Sequence, residues 1–318
     1  MGKSNNSSNA MYGYNARFTE NSISYLSSLI SIKLSFTAVE DSLFEGEYMK
    51  SVPQYINWFV KESDVVLEDG VPITCYRLDY IVNEEAYCEL ALHIRQHYES
   101  DVELSESISI MQLPVENYLR QFVIPQKDDS FGPTARSNDF TEILVSDLLE
   151  FIYGFDVPRC KQRNRSGKAL SEHGTDILAY KFDKKDRSPS GKDTLLAVEV
   201  KAGLSSDEYT PINKAVTDSH KYDEVRHSHT LNYYRKKLRS INNHQQADDI
   251  SRFQKKSEHN FIIDYIATAL ISRETIPDNV ILGIRGDDLE LQQNNKIFLI
   301  HGKKLMDLAH DIFERCIK

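Results

Sequence analysis

Along this chain the apolar positions switch repeatedly between a helical period and a strand period, and those switches mark out its elements. Residues 84–98 carry apolar side chains at helical spacing, as do residues 52–60, with candidate strands at 31–36 and 73–82. Ser137 is a good N-cap, and Phe140, Ile143, Leu144, Leu148, Phe151 and Ile152 follow at helical spacing until Gly154. Extended segments are predicted at 157–162, 176–182 and 194–202. The last two are joined by a charged Ser/Pro/Gly loop, 183–193, that suits a hairpin. A long polar helix is predicted over 211–240, interrupted near His227, followed by an apolar helix at 261–271. Strands at 280–284 and 296–301 and a helix at 303–317 close the chain.

In the second part of the chain, the order helix, three strands, helix, strand implies a three-layer α/β arrangement around a small mixed sheet. The segment 125–133 holds Lys127-Asp128-Asp129-Ser130 and Gly132-Pro133, which is turn chemistry. It places a boundary between an N-terminal α+β region, 1–125, and a second domain, 126–318. Charge sharpens that division. Residues 1–130 hold 9 Lys+Arg against 20 Asp+Glu, whereas residues 131–318 hold 29 against 28. The acidic part would repel a polyphosphate, so nucleic acid is expected to meet the second part, leaving the first to dock a protein partner or regulate. No apolar run nears the roughly 20 residues that span a bilayer, so no membrane is expected. The Ser/Asn-rich start lacks a secretory layout, which predicts a cytoplasmic protein. Cys75, Cys88, Cys160 and Cys316 lie far apart with no Cys-x-x-Cys, which argues against a disulfide framework or a zinc ribbon.

Polar residues inside apolar strands carry the candidate chemistry. Asp176 opens one such run, and Glu199-Val200-Lys201 closes the next. Side chains alternate along a strand, so Glu199 and Lys201 share a face. A carboxylate and a lysine are costly to bury there unless they serve a site, and a divalent metal with a water is the usual reason. If the two strands form an antiparallel pair, Asp176 faces Glu199. Both carboxylates, with the backbone carbonyl of Val200, then make the hard oxygen set that Mg²⁺ favours. Lys201 would orient or deprotonate the water and stabilise transition-state charge. A third carboxylate can come from the preceding helix, with Glu142 preferred and Glu150 and Asp147 as alternatives. The competing interpretation is an exposed same-face pair on an edge strand.

A helix Glu, an Asp on one strand and Glu-Val-Lys on the next resemble the PD-(D/E)XK nuclease superfamily. The first motif here is Gly174-Thr175-Asp176 rather than Pro-Asp. More narrowly, the run from Phe155 to Gly167, then His173-Gly174-Thr175-Asp176-Ile177 and Val198-Glu199-Val200-Lys201-Ala202, resembles the HamA family. These are nuclease-domain subunits of Hachiman-type antiphage defence in bacteria, with AbpA-like relatives. The resemblance covers residues 135–300 and none of the first 125. It implies a restriction-endonuclease-like αβββαβ core and Mg²⁺-dependent DNA cleavage, with Mn²⁺ as a possible substitute. Asp176, Glu199 and Lys201 would carry the reaction, assisted by Glu142. It also implies a superfamily 2 helicase partner (HamB-like) that restrains the nuclease and senses DNA.

Five cations, Arg159, Lys161, Arg163, Arg165 and Lys168, fall within ten residues just before the Asp176 strand. Such a run suits phosphate contacts, for which Arg163, Arg165 and Lys168 are the candidates. His173 is a further candidate on the approach to the metal, and Lys221 another on the helix after Lys201. Tyr233 and Tyr234 with Arg235, Lys236, Lys237 and Arg239 form a second basic-aromatic patch suited to single strands. The alternative to an enzyme is a catalytically silent DNA-binding or regulatory subunit with a nuclease fold.

Overall fold

The computed structural model describes residues 51–318, except 68–69, 171, 173, 206–210, 220–223, 256 and 275–294. The strands expected at 31–36 and 280–284 therefore lie outside the described residues, as do His173 and Lys221. Among the described residues, seven strands form one mixed sheet: β1 (Phe59–Lys61), β2 (Val65–Val66), β3 (Pro72–Leu78), β4 (Ile177–Lys181), β5 (Thr194–Gly203), β6 (Ile262–Ser272) and β7 (Asn295–Gly302). The order across the sheet is β1-β3-β7-β6-β5-β4, with β2 paired to β3. Strands β3, β7, β6 and β5 run parallel, and antiparallel pairs flank them at β1, β2 and β4.

The helices are α1 (Glu84–Tyr98), α2 (Asp101–Met111), α3 (Val115–Tyr118), α4 (Gly132–Asp147), α5 (Pro211–Ser219), α6 (Glu224–Ser240), α7 (His244–Phe253) and α8 (Leu305–Arg315). Alternation along the strands sorts them into layers. Leu196, Val198 and Val200 of β5 join the core formed by α1, α4 and α8, whereas Leu195 packs with Leu231, Tyr234 and Leu238 of α6. Helix α5 covers Ala267, Ala269 and Ile271 of β6 on that second face. This is the three-layer α/β arrangement expected. Among the described residues, no helix is long and apolar enough to cross a membrane, and the four cysteines are free thiols.

The segment expected to be the helix 261–271 is instead the strand β6, buried against helices on both faces. A strand inside a parallel sheet loses the alternation that identifies strands, so its apolar run imitates a core helix. The extended segment expected at 157–162 is irregular, and a single bridge, between Asp156 and Tyr180, lies just before it. Residues 52–60 form a short 3₁₀ turn, Gln54–Trp58, that runs into β1.

The boundary expected near 125 is not a break in the sheet: β3 pairs in parallel with β7, and one compact unit spans 52–318. The linker-like residues are tightly tied. Arg136, fully buried, donates to the Pro125 carbonyl (2.7 Å) and pairs with Glu314 (2.9 Å). Helix α4 begins at Gly132-Pro133, five residues before the Ser137 expected to cap it. A Cβ on Gly132 would lie 1.6 Å from the Gln126 carbonyl oxygen. Gly132→Ala must therefore move the start of the helix that carries Glu142. We expect a stability loss of about 1–3 kcal/mol, read as a lower urea midpoint. An unchanged midpoint would show that this turn yields freely.

Candidate functional site

Helix α4 and strands β4 and β5 bring the main candidates together. The β4–β5 register pairs Ile177 with Val198, so Asp176 and Glu199 fall opposite each other one step further on. Gly174, at φ +99°, makes the turn that delivers Thr175 and Asp176 to the start of β4. Asp176 is then held on several sides. Its Oδ2 accepts from the Val200 N–H (2.8 Å), and its backbone carbonyl accepts from the Tyr234 hydroxyl (3.1 Å). Lys161 Nζ lies 3.8 Å from Oδ1, and Lys201 Nζ 3.9 Å from Oδ2.

The remaining charges in the cluster have counter-charges too, some of them shared with Asp176. Glu199 Oε1 accepts from the Thr175 hydroxyl and from Arg226 Nη2, both at 2.9 Å. Glu142 Oε2 accepts from the Gln162 amide (3.3 Å) and lies 3.9 Å from Lys161 Nζ. Lys201 Nζ sits 3.0 Å from Asp218 Oδ2 on α5. Burial, reinforced by the Asp176 charge, pushes the Glu199 carboxyl up to about 7. Burial does the same for Glu142, to about 7, against the pull of Lys161 and with Asp176 adding to the rise. Burial alone would lower Lys201, but Asp176 and then Asp218 outweigh it, and its ammonium is raised. Lys201 is thus held as a cation.

Glu142, Asp176, Val200 and Lys201 open into one cleft of about 490 Å³, which Thr134, Asn138, Lys214 and Asp218 also line. Among the described residues, no three acidic, His or Cys side chains converge on one point as a ready-made cage. The donor set fits Mg²⁺ all the same, because that ion commonly takes one or two protein carboxylates and keeps several waters. Crowded carboxyls raised by burial and by one another are also what a divalent cation relieves.

The basic run before β4 is mostly committed elsewhere. Arg165 is a buried fork on Asp139, at 2.7 and 2.6 Å, and Tyr98 donates to the same carboxylate. Arg163 donates to the Gln96 carbonyl (2.7 Å), and Lys168 pairs with Asp129 (2.8 Å). Arg159 binds Asp147 and Glu150, each at 2.7 Å. Those contacts take both alternative helix carboxylates and leave Glu142 as the one in the cleft. Only Lys161 of the run reaches the cluster. The second basic patch is divided: Tyr234 is buried and Lys237 pairs with Glu172, whereas Lys236 is exposed and Arg239 pairs with Asp248 at the surface. Sequence reasoning missed Arg226 and Asp218 as partners of Glu199 and Lys201. Neither has a local signal, since both arrive from helices distant in sequence.

A profile described as HamA matches residues 53–316. No curated protein matches the sequence.

Proposed function

The chain belongs to the HamA family and so to the context of Hachiman systems, and from that premise we propose that it is a metal-dependent DNA nuclease subunit controlled by a helicase. The observation that supports this best is the convergence of Asp176, Glu142 and Lys201 on one cleft, with Glu199 beside them. Asp176, Glu199 and the Val200 carbonyl are the groups to hold Mg²⁺, or Mn²⁺ in its place. When bound, the ion supplies charge neutralisation at the scissile phosphate and makes water a better nucleophile at neutral pH. Lys201, held protonated by Asp176 and Asp218, stabilises negative charge growing on the phosphate. Glu142, raised to about 7, is matched to accept a proton from the attacking water. Thr175, Tyr234 and the Val200 N–H fix the acidic groups in place.

One observation favours a second reading, a silent DNA-binding or regulatory subunit. Glu199 is already occupied by Arg226 at 2.9 Å, as it would be in a site that no longer takes a metal. A cleavage assay separates the two. Purified chain with its helicase partner and plasmid DNA is expected to cut in Mg²⁺ and to stop in EDTA. Cutting that survives the chelator would overturn the metal assignment. No cutting under any condition would favour the silent subunit.

A further inference from the structure

Besides Lys201 and Lys214, which line the cleft, a third lysine, Lys161, lies buried behind it against two of its carboxylates. The Lys161 side chain is 6% exposed, and its Nζ lies 3.9 Å from Glu142 Oε2, 3.8 Å from Asp176 Oδ1 and 3.3 Å from the Thr175 carbonyl. A fixed positive charge therefore fills the gap between the two carboxylates. A divalent ion bridging Glu142 and Asp176 would need that same gap, with oxygen contacts of about 2.0–2.1 Å for Mg²⁺. It would sit against an ammonium in a place where burial leaves little water to screen the repulsion. The remaining charges agree. Four carboxylates, Glu142, Asp176, Glu199 and Asp218, face four cations, Lys161, Lys201, Lys214 and Arg226, a balance that suits one added divalent ion better than two. Two-ion sites share carboxylates between their metals, and no cluster of three such ligands occurs among the described residues.

Resting on the metal-dependent reading above, we infer that Lys161 stands in for a second metal ion: the cleft binds a single divalent cation, between Asp176 and Glu199, and the Lys161 ammonium supplies the positive charge on the Glu142 side. Lys161 is thus a positioning residue. It holds Glu142 and Asp176 apart from each other's charge and keeps Glu142 free of the metal.

Manganese binding to the full chain, counted by equilibrium dialysis and by the EPR signal of free Mn²⁺, tests this without any cleavage readout. Wild type is expected to bind one Mn²⁺ per chain. Lys161→Met, with folding checked by circular dichroism, is expected to bind two, and Lys161→Arg is expected to return to one. Glu142→Gln covers the case in which Lys161→Met does not fold. It is expected to retain the single ion with affinity changed by less than about threefold, because Glu142 belongs to the lysine and not to the metal. Two ions on wild type, a folded Lys161→Met that still binds one, or loss of the ion in Glu142→Gln would each overturn the inference while leaving the metal-dependent reading intact. No ion on wild type would overturn both.

Discussion

On the nuclease reading proposed above, Asp176→Asn is expected to lower Mg²⁺-dependent DNA cleavage by roughly a thousand-fold or more, a barrier increase of about 4 kcal/mol. The substitution removes charge but little shape. An amide oxygen at the same place still accepts the Val200 N–H that Asp176 Oδ2 now accepts at 2.8 Å. The β4–β5 junction should therefore persist, and circular dichroism should not change. What is lost is the one carboxylate common to the cluster: Lys161 and Lys201 approach it from two sides, and its charge contributes to the raised pKa of both Glu142 and Glu199. Single-turnover cleavage of plasmid DNA, with the proposed helicase partner and saturating Mg²⁺, gives the measurement. A folded Asp176→Asn that cuts within about tenfold of wild type would mean that the reaction happens elsewhere. Lys201→Met, which also removes the ammonium 3.0 Å from Asp218, is expected to fall by a similar factor.

Strand periodicity made much of this site legible before the structure. Asp176, Glu199 and Lys201 stand out because each interrupts an apolar run, and a two-residue period fixes which side chains share a face. The helix carrying Glu142 was visible for the same reason, although its start was not. Ser137 has the chemistry of a cap, but Gly132-Pro133 begins the helix and Phe131 takes the cap position with no side-chain bond. Strand β6 was misread because burial on both faces erases the alternation. The internal partners of the basic run were not legible because sequence records that a charge exists and not whom it faces. Arg165 and Asp139 lie 26 residues apart and close a buried pair that spacing cannot announce. Arg226 and Lys161 were hidden in the same way. Their importance is entirely tertiary, set by which carboxylates the sheet brings to them.

The largest loss of stability is expected from Asp147→Ala, because this fully buried carboxylate is the hub of a charged cluster under α4. Its Oδ1 accepts from Arg159 (2.7 Å) and from His93 Nε2 (2.9 Å), and its Oδ2 from the Tyr55 hydroxyl (3.2 Å). Removing it leaves the Arg159 guanidinium with Glu150 alone to offset a buried positive charge. Breaking such a pair costs about 3–5 kcal/mol, a fall in Tm on the order of 10 °C. The effect should also depend on pH. Burial opposes the Asp147 charge, but Arg159 and then His93 overcome it and hold the carboxyl at about 2, below its ordinary 3.8. A depressed carboxyl contributes stability that is complete above the unfolded pKa and is lost as pH falls through the folded one. The gap between wild type and Asp147→Ala in urea unfolding should therefore be constant from pH 7 to 5 and shrink as pH falls from 4 towards 2. A gap that stays constant throughout, or one below about 1 kcal/mol, would show that Arg159 finds other compensation. The same variant also separates structural from functional carboxylates on one helix. Asp147 is five residues, or about 140° of turn, from Glu142 and faces away from the cleft. Wild-type Mn²⁺ stoichiometry in a destabilised but folded Asp147→Ala is the expected result.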